Sequence, residues 1–241
     1  MAPNELFQYS VVNALMDGVA NKGLLISTLL QNGDHGIGTF RHMVGELIIV
    51  DGVAYQMTSD GSVNSVDTSL DSSVVAPFAM TTHFEPTHKT TAVLADKADL
   101  FGLLSFLLPE AHNLYIAVRI TGVFKSVEVR TVGGQSKPHE GLAEVGKHQT
   151  SHTFEEPIGG VIIGFRSPDY MQGVSVAGDH LHFLSKDRTR GGHLLGLASE
   201  GEVDVEVAAI SKFHLELPVH DEDFNEAGLK GDGAGIAAVE G

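Results

Sequence analysis

The sequence predicts a mixed α/β fold of the α+β type, with two halves that are each based on a β-sheet. Helical patterns occur only in the first half, at residues 5–19 and 91–108. Short apolar runs separated by Gly and Asp fill the second half, as expected for antiparallel strands that follow one another in a meander. A chain of 241 residues is long enough to bury a core without disulfide or metal staples.

Two segments carry the spacing of an amphipathic helix. The first runs from Glu5 to Val19 with Asn4 as its N-cap, and its apolar residues recur every three or four positions. The second runs from Thr91 to Leu108, is rich in Ala and Leu, and ends at Pro109. We expect both helices to pack in the N-terminal half.

Turn signals and apolar runs predict the strands. Asp51-Gly52 and Asp60-Gly61 flank an apolar run and are typical of hairpin turns. Apolar residues alternate with acids from Val203 to Val207, as in a strand with one exposed face. The remaining predicted strands are residues 114–123, 127–132, 158–165, 171–176, 181–184, 193–197, 203–210 and 213–217.

A polar stretch between residues 133 and 156 predicts the boundary between the halves, because it has Gly and Pro but few aliphatic residues. We therefore expect an N-terminal subdomain at 1–150 and a C-terminal subdomain at 151–220. The acidic, glycine-rich segment 221–241 is typical of a tail.

Composition excludes several classes of protein. The formal net charge is −16, which disfavours binding to nucleic acid and to anionic membranes. There is no cysteine, so any metal must be held by His and carboxylate side chains. No apolar run is long enough for a membrane span and the first ten residues do not form a signal peptide, so we expect a cytoplasmic protein.

Three histidines form a candidate metal site. His180 and His182 are two residues apart and share one face of a strand, and His193 follows a possible hairpin turn at 185–192. Three imidazoles that converge in this way suit zinc with open positions for water or substrate. The alternative is that these are unrelated surface histidines in a chain that has 13 of them.

Two charged residues lie inside apolar runs. Glu46 begins the run that ends at Val50, and Arg130 lies in the β-rich run 127–132. Buried charges need partners, so Glu46 is a candidate site residue and Arg130 a candidate clamp for a carboxylate. Taken alone, Glu46 is equally compatible with a solvent-facing position on an edge strand, and for Arg130 alone a solvent-facing position is favoured.

The combined motifs resemble the alpha-acetolactate decarboxylase family over nearly the whole chain. The matching segments are Gly33-Asp34, Gly36-Ile-Gly-Thr-Phe40, Gly45-Glu-Leu-Ile48, Ser59-Asp-Gly61, Arg119-Ile-Thr-Gly-Val-Phe124, Arg130-Thr-Val132, Gly164-Phe165, Gly178-Asp-His-Leu-His-Phe183, Gly191-Gly-His193 and Glu240-Gly241. The resemblance implies a mixed sheet with helices and a smaller antiparallel sheet that meet at a zinc site. It also implies a homodimer. His35 and Asp179 depart from the family pattern.

The resemblance also implies the site residues. It identifies His180, His182 and His193 as zinc ligands, Thr39 as a residue near the substrate, and Arg130 as the residue that binds the substrate. It identifies Glu46 as an active-site glutamate, and Glu240 as a glutamate on a C-terminal tail that folds back toward the site. Glu226 is the alternative equivalent for the tail glutamate.

The implied reaction converts 2-acetolactate, a 2-hydroxy-3-oxo acid, to acetoin and carbon dioxide through a zinc-stabilised enediolate that a carboxylic acid protonates. Glu46 and Glu240 are both candidates for that acid, and we favour Glu46 at the metal and Glu240 as the acid or a gate. One alternative is a zinc hydratase or hydrolase that activates water with the same histidines. Another is a binding module in which the histidines hold structure.

Overall fold

The computed structural model describes residues 1–69, 71–231 and 233–240, with the side chain of residue 240 left out. The strands are β1 (Glu5–Tyr9), β2 (Leu24–Leu25), β3 (His35–Thr39), β4 (Glu46–Val50), β5 (Val53–Met57), β6 (Val63–Ser65), β7 (Val75–Ala76), β8 (Phe78–Thr82), β9 (His88–Ala92), β10 (Tyr115–Thr131), β11 (Thr150–Phe154), β12 (Ile158–Ser167), β13 (Gly178–Ser185), β14 (Gly191–Ser199), β15 (Val203–Ile210) and β16 (Lys212–Glu216). The helices are α1 (Val12–Met16), α2 (Ile26–Leu29), α3 (Lys97–Leu107), α4 (Leu142–Val145), α5 (Glu222–Glu226) and α6 (Gly233–Glu240). Within these ranges, no helix is long and apolar enough to cross a membrane.

Two large sheets dominate the structure. The first has seven strands in the order β16-β1-β8-β3-β4-β5-β6, and it is mixed because β16 runs parallel to β1. The second has the order β12-β13-β14-β10-β15-β9, with β11 on β10. The 17-residue strand β10 pairs with β12 through its first part and with β14 through its second, so β10, β12, β13 and β14 close into a ring.

The predicted α+β class is confirmed, including its mixed sheet and its antiparallel sheet. The expectation that the second sheet is smaller is wrong, since each large sheet has seven strands. The reason is that β9 and β10, which come from the first half of the chain, join the second sheet.

Sheet membership crosses the boundary that we predicted at residue 150. β9 and β10 precede residue 150 but belong to the second sheet, and β16 follows it but belongs to the first. The division of the chain into 1–150, 151–220 and 221–241 stays a prediction about domains. Each large sheet contains strands from both sides of residue 150.

The helix predicted from Glu5 to Val19 is wrong over its first part, which forms β1. Its backbone pairs with β8 on one side and β16 on the other. Leu6 packs into one core cluster and Phe7 into another, so β1 is buried on both faces. Apolar residues on both faces of a strand produce no period of two, which is why this segment resembles a helix. Only Val12–Met16 is helical.

Several other boundaries differ from expectation. The helix predicted over 91–108 begins only at Lys97, because the Asp96 carboxylate caps it by accepting from the N–H groups of Ala98 and Asp99. The strands predicted at 114–123 and 127–132 are one strand, β10. The strand predicted at 171–176 is a 3-10 turn followed by a loop, while the other strands predicted in the second half are confirmed.

The hairpin turn predicted at Asp51-Gly52 is confirmed. Asp51 has φ 53° and Gly52 has φ 75°, the left-handed pair that a two-residue turn between β4 and β5 requires. The predicted turn at Asp60-Gly61 likewise connects β5 to β6. These hairpins extend the sheet on the side of β4, the strand that begins with Glu46.

His35 is a buried imidazole between the two sheets. It is 2% exposed, its ring stacks on Phe84 at 4.7 Å, and its Nε2 donates to the Gly164 carbonyl at 3.3 Å. Its Nδ1 has no hydrogen-bond partner within the described ranges. Burial lowers the pKa of His35 to about 4, although the hydrogen bond to the Gly164 carbonyl raises this pKa.

We predict that His35→Phe makes folding stability less sensitive to acid. Between pH 6.5 and 4 the unfolded chain binds a proton at His35 and the folded chain does not, so stability falls as the pH falls. Removing the imidazole should reduce the loss of unfolding free energy between pH 7 and pH 4 by about 3 kcal/mol. Urea titrations at both pH values measure this loss. His112→Phe, at an exposed position, is the control, and an equal loss in both variants would contradict the prediction.

Candidate metal centre

Three buried imidazoles meet on adjacent strands of the second sheet. His180 and His182 point to the same face of β13, and His193 on β14 is the register partner of His182. The ring centroids lie 5.1 to 5.5 Å apart. One nitrogen of each ring lies within 4.8 Å of the others, a spacing that lets the three hold one metal ion. The convergence predicted from the spacing of these histidines is confirmed.

Close backbone packing brings His193 into this group. The turn between β13 and β14 spans residues 186–190, so His193 lies near the start of the returning strand. A Cβ atom at Gly192 would lie only 2.8 Å from the carbonyl oxygen of Arg130. Glycine at this position therefore allows β14 to approach β10 closely, and Arg130 becomes the register partner of His193.

A backbone carbonyl sets the orientation of His182. Nδ1 of His182 lies 2.9 Å from the carbonyl oxygen of Leu47 on β4. A carbonyl can only accept, so Nδ1 carries the proton and Nε2 keeps its lone pair. Nε2 is buried and has no hydrogen-bond partner within the described ranges, and a bound cation would satisfy it. The donor set thus fits a divalent metal.

The histidines are held in the neutral form that binds metal. Burial lowers the pKa of His182 to about 4 and lowers those of His180 and His193 well below the usual value. The Arg130 guanidinium and, for His180 and His193, neighbouring imidazoles act in the same direction. Neutral imidazole is the ligand form, so the protein need not lose protons to bind a metal near pH 7.

Glu46 lies beside the imidazoles. It is 8% exposed at the start of β4, and its Oε2 lies 3.8 Å from Nε2 of His182. Its Oε1 accepts from the backbone N–H of Val132 at 3.3 Å. The N–H of Gly45 in turn donates to the Val132 carbonyl at 3.1 Å, so the first sheet is joined to the end of β10 at this point.

A left-handed turn places Glu46. His42, Met43 and Gly45 have positive φ values of 59°, 56° and 82°. Thr39, which is 6% exposed, donates from Oγ1 to the Gly45 carbonyl at 2.8 Å and closes this turn. A Cβ atom at Gly45 would lie 2.4 Å from the carbonyl oxygen of Met57, so this position needs glycine.

Arg130 is buried against the imidazoles. It is 6% exposed, and its Nη2 lies 3.5 Å from Nε2 of His193. Thr39, Glu46 and His180 line a cavity of about 20 Å³. The other residues that line it are Val12, Leu15, Gly38, Phe78 and Val176. The structure therefore gathers all the predicted site residues except Glu240.

Glu240 falls where the structure gives no side chain. The backbone of α6 extends to residue 240, but its side chain and residue 241 lie outside the described residues. Ile236 and Val239 of α6 are buried in the same core cluster as Leu15, which lines the cavity. Glu226, the alternative, is exposed at the end of α5.

Sequence reasoning missed two features of the site. The Leu47 carbonyl that orients His182 has no side-chain signal, because any residue would supply it. The apolar residues of the cavity also went unnoticed, although Val12 and Leu15 were visible at helical spacing. Asp179, which departs from the family pattern, forms a two-pronged ion pair with Arg166 at 2.6 and 2.9 Å.

Comparison with known proteins identifies the family. The model of the alpha-acetolactate decarboxylase family matches residues 6–231. The chain belongs to the alpha-acetolactate decarboxylase family. An alpha-acetolactate decarboxylase of Brevibacillus brevis is 40% identical over 228 residues, which cover 94% of this chain and 77% of that protein. The resemblance seen in the motifs is thus confirmed, and the protein is an enzyme, a carboxy-lyase.

Solved structures of this family share the fold. The crystal structure of alpha-acetolactate decarboxylase from Bacillus subtilis strain 168 superposes with a TM-score of 0.90 at 34% identity, covering 98% of this chain and 99% of that one. A Staphylococcus aureus protein described as similar to alpha-acetolactate decarboxylase gives a TM-score of 0.92 at 29% identity, covering 98% and 100%. The similarity extends over both sheets.

We predict that His182→Ala lowers affinity for a divalent cation by more than about 100-fold, since loss of a residue that only hydrogen-bonds to a metal ligand already costs about 10- to 100-fold. Titration of the metal-free protein with Zn²⁺, followed by the rise in Tm, measures the affinity. His88→Ala removes an exposed imidazole on β9 and should leave the rise unchanged. Equal zinc-induced rises in the two variants would argue against this site.

Proposed function

We propose that the protein decarboxylates 2-acetolactate to acetoin and carbon dioxide, with a zinc ion held by His180, His182 and His193. The observation that carries the proposal is the convergence of three neutral imidazoles beside a buried carboxylate and a buried guanidinium, in a chain of this family. An all-imidazole donor set suits zinc. The homodimer and the cytoplasmic location expected from the sequence stay predictions.

Decarboxylation leaves an electron pair on the substrate that must be delocalised. Loss of carbon dioxide breaks the bond between C2 and the carboxylate carbon, and the pair moves through C2 to the ketone oxygen, which leaves an enediolate. A bound divalent cation supplies Lewis-acid stabilisation for this developing negative charge. Proton delivery to C2 then gives acetoin.

Arg130 and Thr39 orient the substrate in this proposal. The Arg130 guanidinium binds the substrate carboxylate with two hydrogen bonds and holds the breaking bond in line with the carbonyl π system. Thr39 already donates its hydroxyl proton to Gly45, so toward the substrate it can only accept, and the tertiary hydroxyl of 2-acetolactate is a suitable donor.

Glu46 and Glu240 have separate roles in this proposal, metal binding and proton donation or gating. Glu46 accepts the Val132 N–H, and its other carboxylate oxygen lies 3.8 Å from Nε2 of His182, which suits a position at the metal. Glu240 then acts as the acid that protonates C2, or as a gate. In support, α6 contacts α1, and its Ile236 and Val239 are buried in the same core cluster as Leu15, which lines the cavity.

We predict that Arg130→Lys lowers kcat/KM for 2-acetolactate by about 100-fold, because an ammonium cannot reproduce the two-pronged hydrogen bonding. Acetoin formation from racemic 2-acetolactate measures the rate. Arg190→Lys makes the same change at an exposed position in the β13–β14 turn and should have no effect. Full activity of Arg130→Lys would remove Arg130 from the mechanism.

We predict that Glu46→Gln lowers both bound zinc and kcat, the latter by at least about 100-fold, whereas Glu240→Gln lowers kcat and keeps the zinc. Elemental analysis and acetoin assays on the same preparations separate the two roles. Glu128→Gln, on an exposed position of β10, is the control for a lost carboxylate.

Three outcomes of these assays bear on the proposal. Unchanged turnover in both Glu46→Gln and Glu240→Gln would exclude the two residues. Wild-type protein that makes no acetoin but hydrolyses esters or hydrates carbonyls would favour a water-activating zinc enzyme. Zinc removal that unfolds the chain, in a protein without catalysis, would favour a structural role for the histidines.

A further inference from the structure

The cavity next to His180 and Glu46 has an apolar wall that the reaction chemistry does not account for. Four side chains form this wall, and each is at most 4% exposed: Val12, Leu15, Phe78 and Val176. The polar lining consists of Thr39, Glu46 and His180. One group of residues thus offers hydrogen bonds and charge, and the other offers only surface for an alkyl group.

A buried hydrogen-bond network holds two residues of the wall. The backbone N–H of Val12 donates to the Val174 carbonyl at 3.0 Å, and the Gln8 side chain donates to the same carbonyl at 2.8 Å. Ser175 donates to Gln8 Oε1 at 2.6 Å and lies 2.8 Å from the Tyr115 hydroxyl. The start of α1 is therefore fixed to the segment that carries Val176.

Packing holds the other two residues. Phe78 on β8 is the register partner of Thr39, so its position follows from the ladder of the first sheet. Leu15 lies one turn after Val12 on α1 and shares a core cluster with Val145, Ile236 and Val239. Well-packed cores resist the insertion of extra methylene groups, so displacing these wall side chains to admit a larger group costs free energy.

Resting on the proposed function, we propose that Val12, Leu15, Phe78 and Val176 contact the alkyl substituent on C2 of the substrate and select its size, methyl over ethyl. The carboxylate, ketone and hydroxyl of the substrate all need polar partners, which leaves two alkyl groups for apolar surface, the methyl of the acetyl group and the substituent on C2. Only the substituent on C2 differs in size between the two substrates compared below. The free space of about 20 Å³ is enough for about one water molecule. One extra methylene in a closed apolar site typically costs about 10- to 200-fold in kcat/KM.

The test compares 2-acetolactate with 2-aceto-2-hydroxybutyrate, which carries ethyl in place of methyl. For the wild type, we expect the ratio of kcat/KM values to favour 2-acetolactate by at least about 10-fold. Leu15→Ala removes three carbons from the wall and should lower this ratio by about 10-fold or more. Val12→Ala should lower it in the same direction, and it provides the test if Leu15→Ala does not fold.

Leu29→Ala is the matched control. It makes the same truncation in α2, where Leu29 is fully buried in a different core cluster. It should lower Tm and leave the ratio unchanged, which separates loss of stability from a change in selectivity.

Two results overturn the inference while the proposed function survives. One is a wild-type enzyme that makes acetoin but does not distinguish the two substrates. The other is a ratio within about twofold of wild type in every folded wall variant. Wild-type protein that makes no acetoin refutes the proposed function instead.

Discussion

Two short connections between the sheets support the whole site. Nδ1 of His182 donates to the Leu47 carbonyl oxygen at an N–O distance of 2.9 Å, and the backbone N–H of Gly45 donates to the Val132 carbonyl oxygen at 3.1 Å. The first connection fixes a histidine of the second sheet against the first sheet, and the second fixes the turn that carries Glu46 against β10. Strand register gathers the imidazoles and the guanidinium within the second sheet, and the two connections hold the Glu46 carboxylate of the first sheet beside them.

The site holds a buried cation in a chain of strongly negative net charge. The protein has a formal net charge of −16, which disfavours the approach of an anion, whereas Arg130 is buried next to neutral imidazoles. The same guanidinium helps to lower the pKa values of all three histidines. Burial is the larger cause and the guanidinium adds to it, so the imidazoles stay in the neutral form that binds metal. In the proposed function the same cation binds the substrate carboxylate.

The sequence predicted the site better than it predicted the fold around it. The His-x-His spacing and the hairpin turn were enough to bring His180, His182 and His193 together, because strand periodicity is local. The motifs also pointed to Glu46, Arg130 and Thr39. The strand nature of Glu5–Tyr9 was not predictable, since two-sided burial removes the period of two, and the membership of β10 in the second sheet depends on pairings far along the chain.

The parallel pairing of β1 with β16 has a consequence for synthesis. Glu5 and Lys212 are 207 positions apart, yet they face each other in register and form an ion pair at 2.6 Å. A chain that emerges from the ribosome from its N-terminus exposes one edge of β1 until β16 has also been made. Completion of the first sheet is therefore a long-range step, and the nascent chain carries an open strand edge while the residues between β1 and β16 are synthesised.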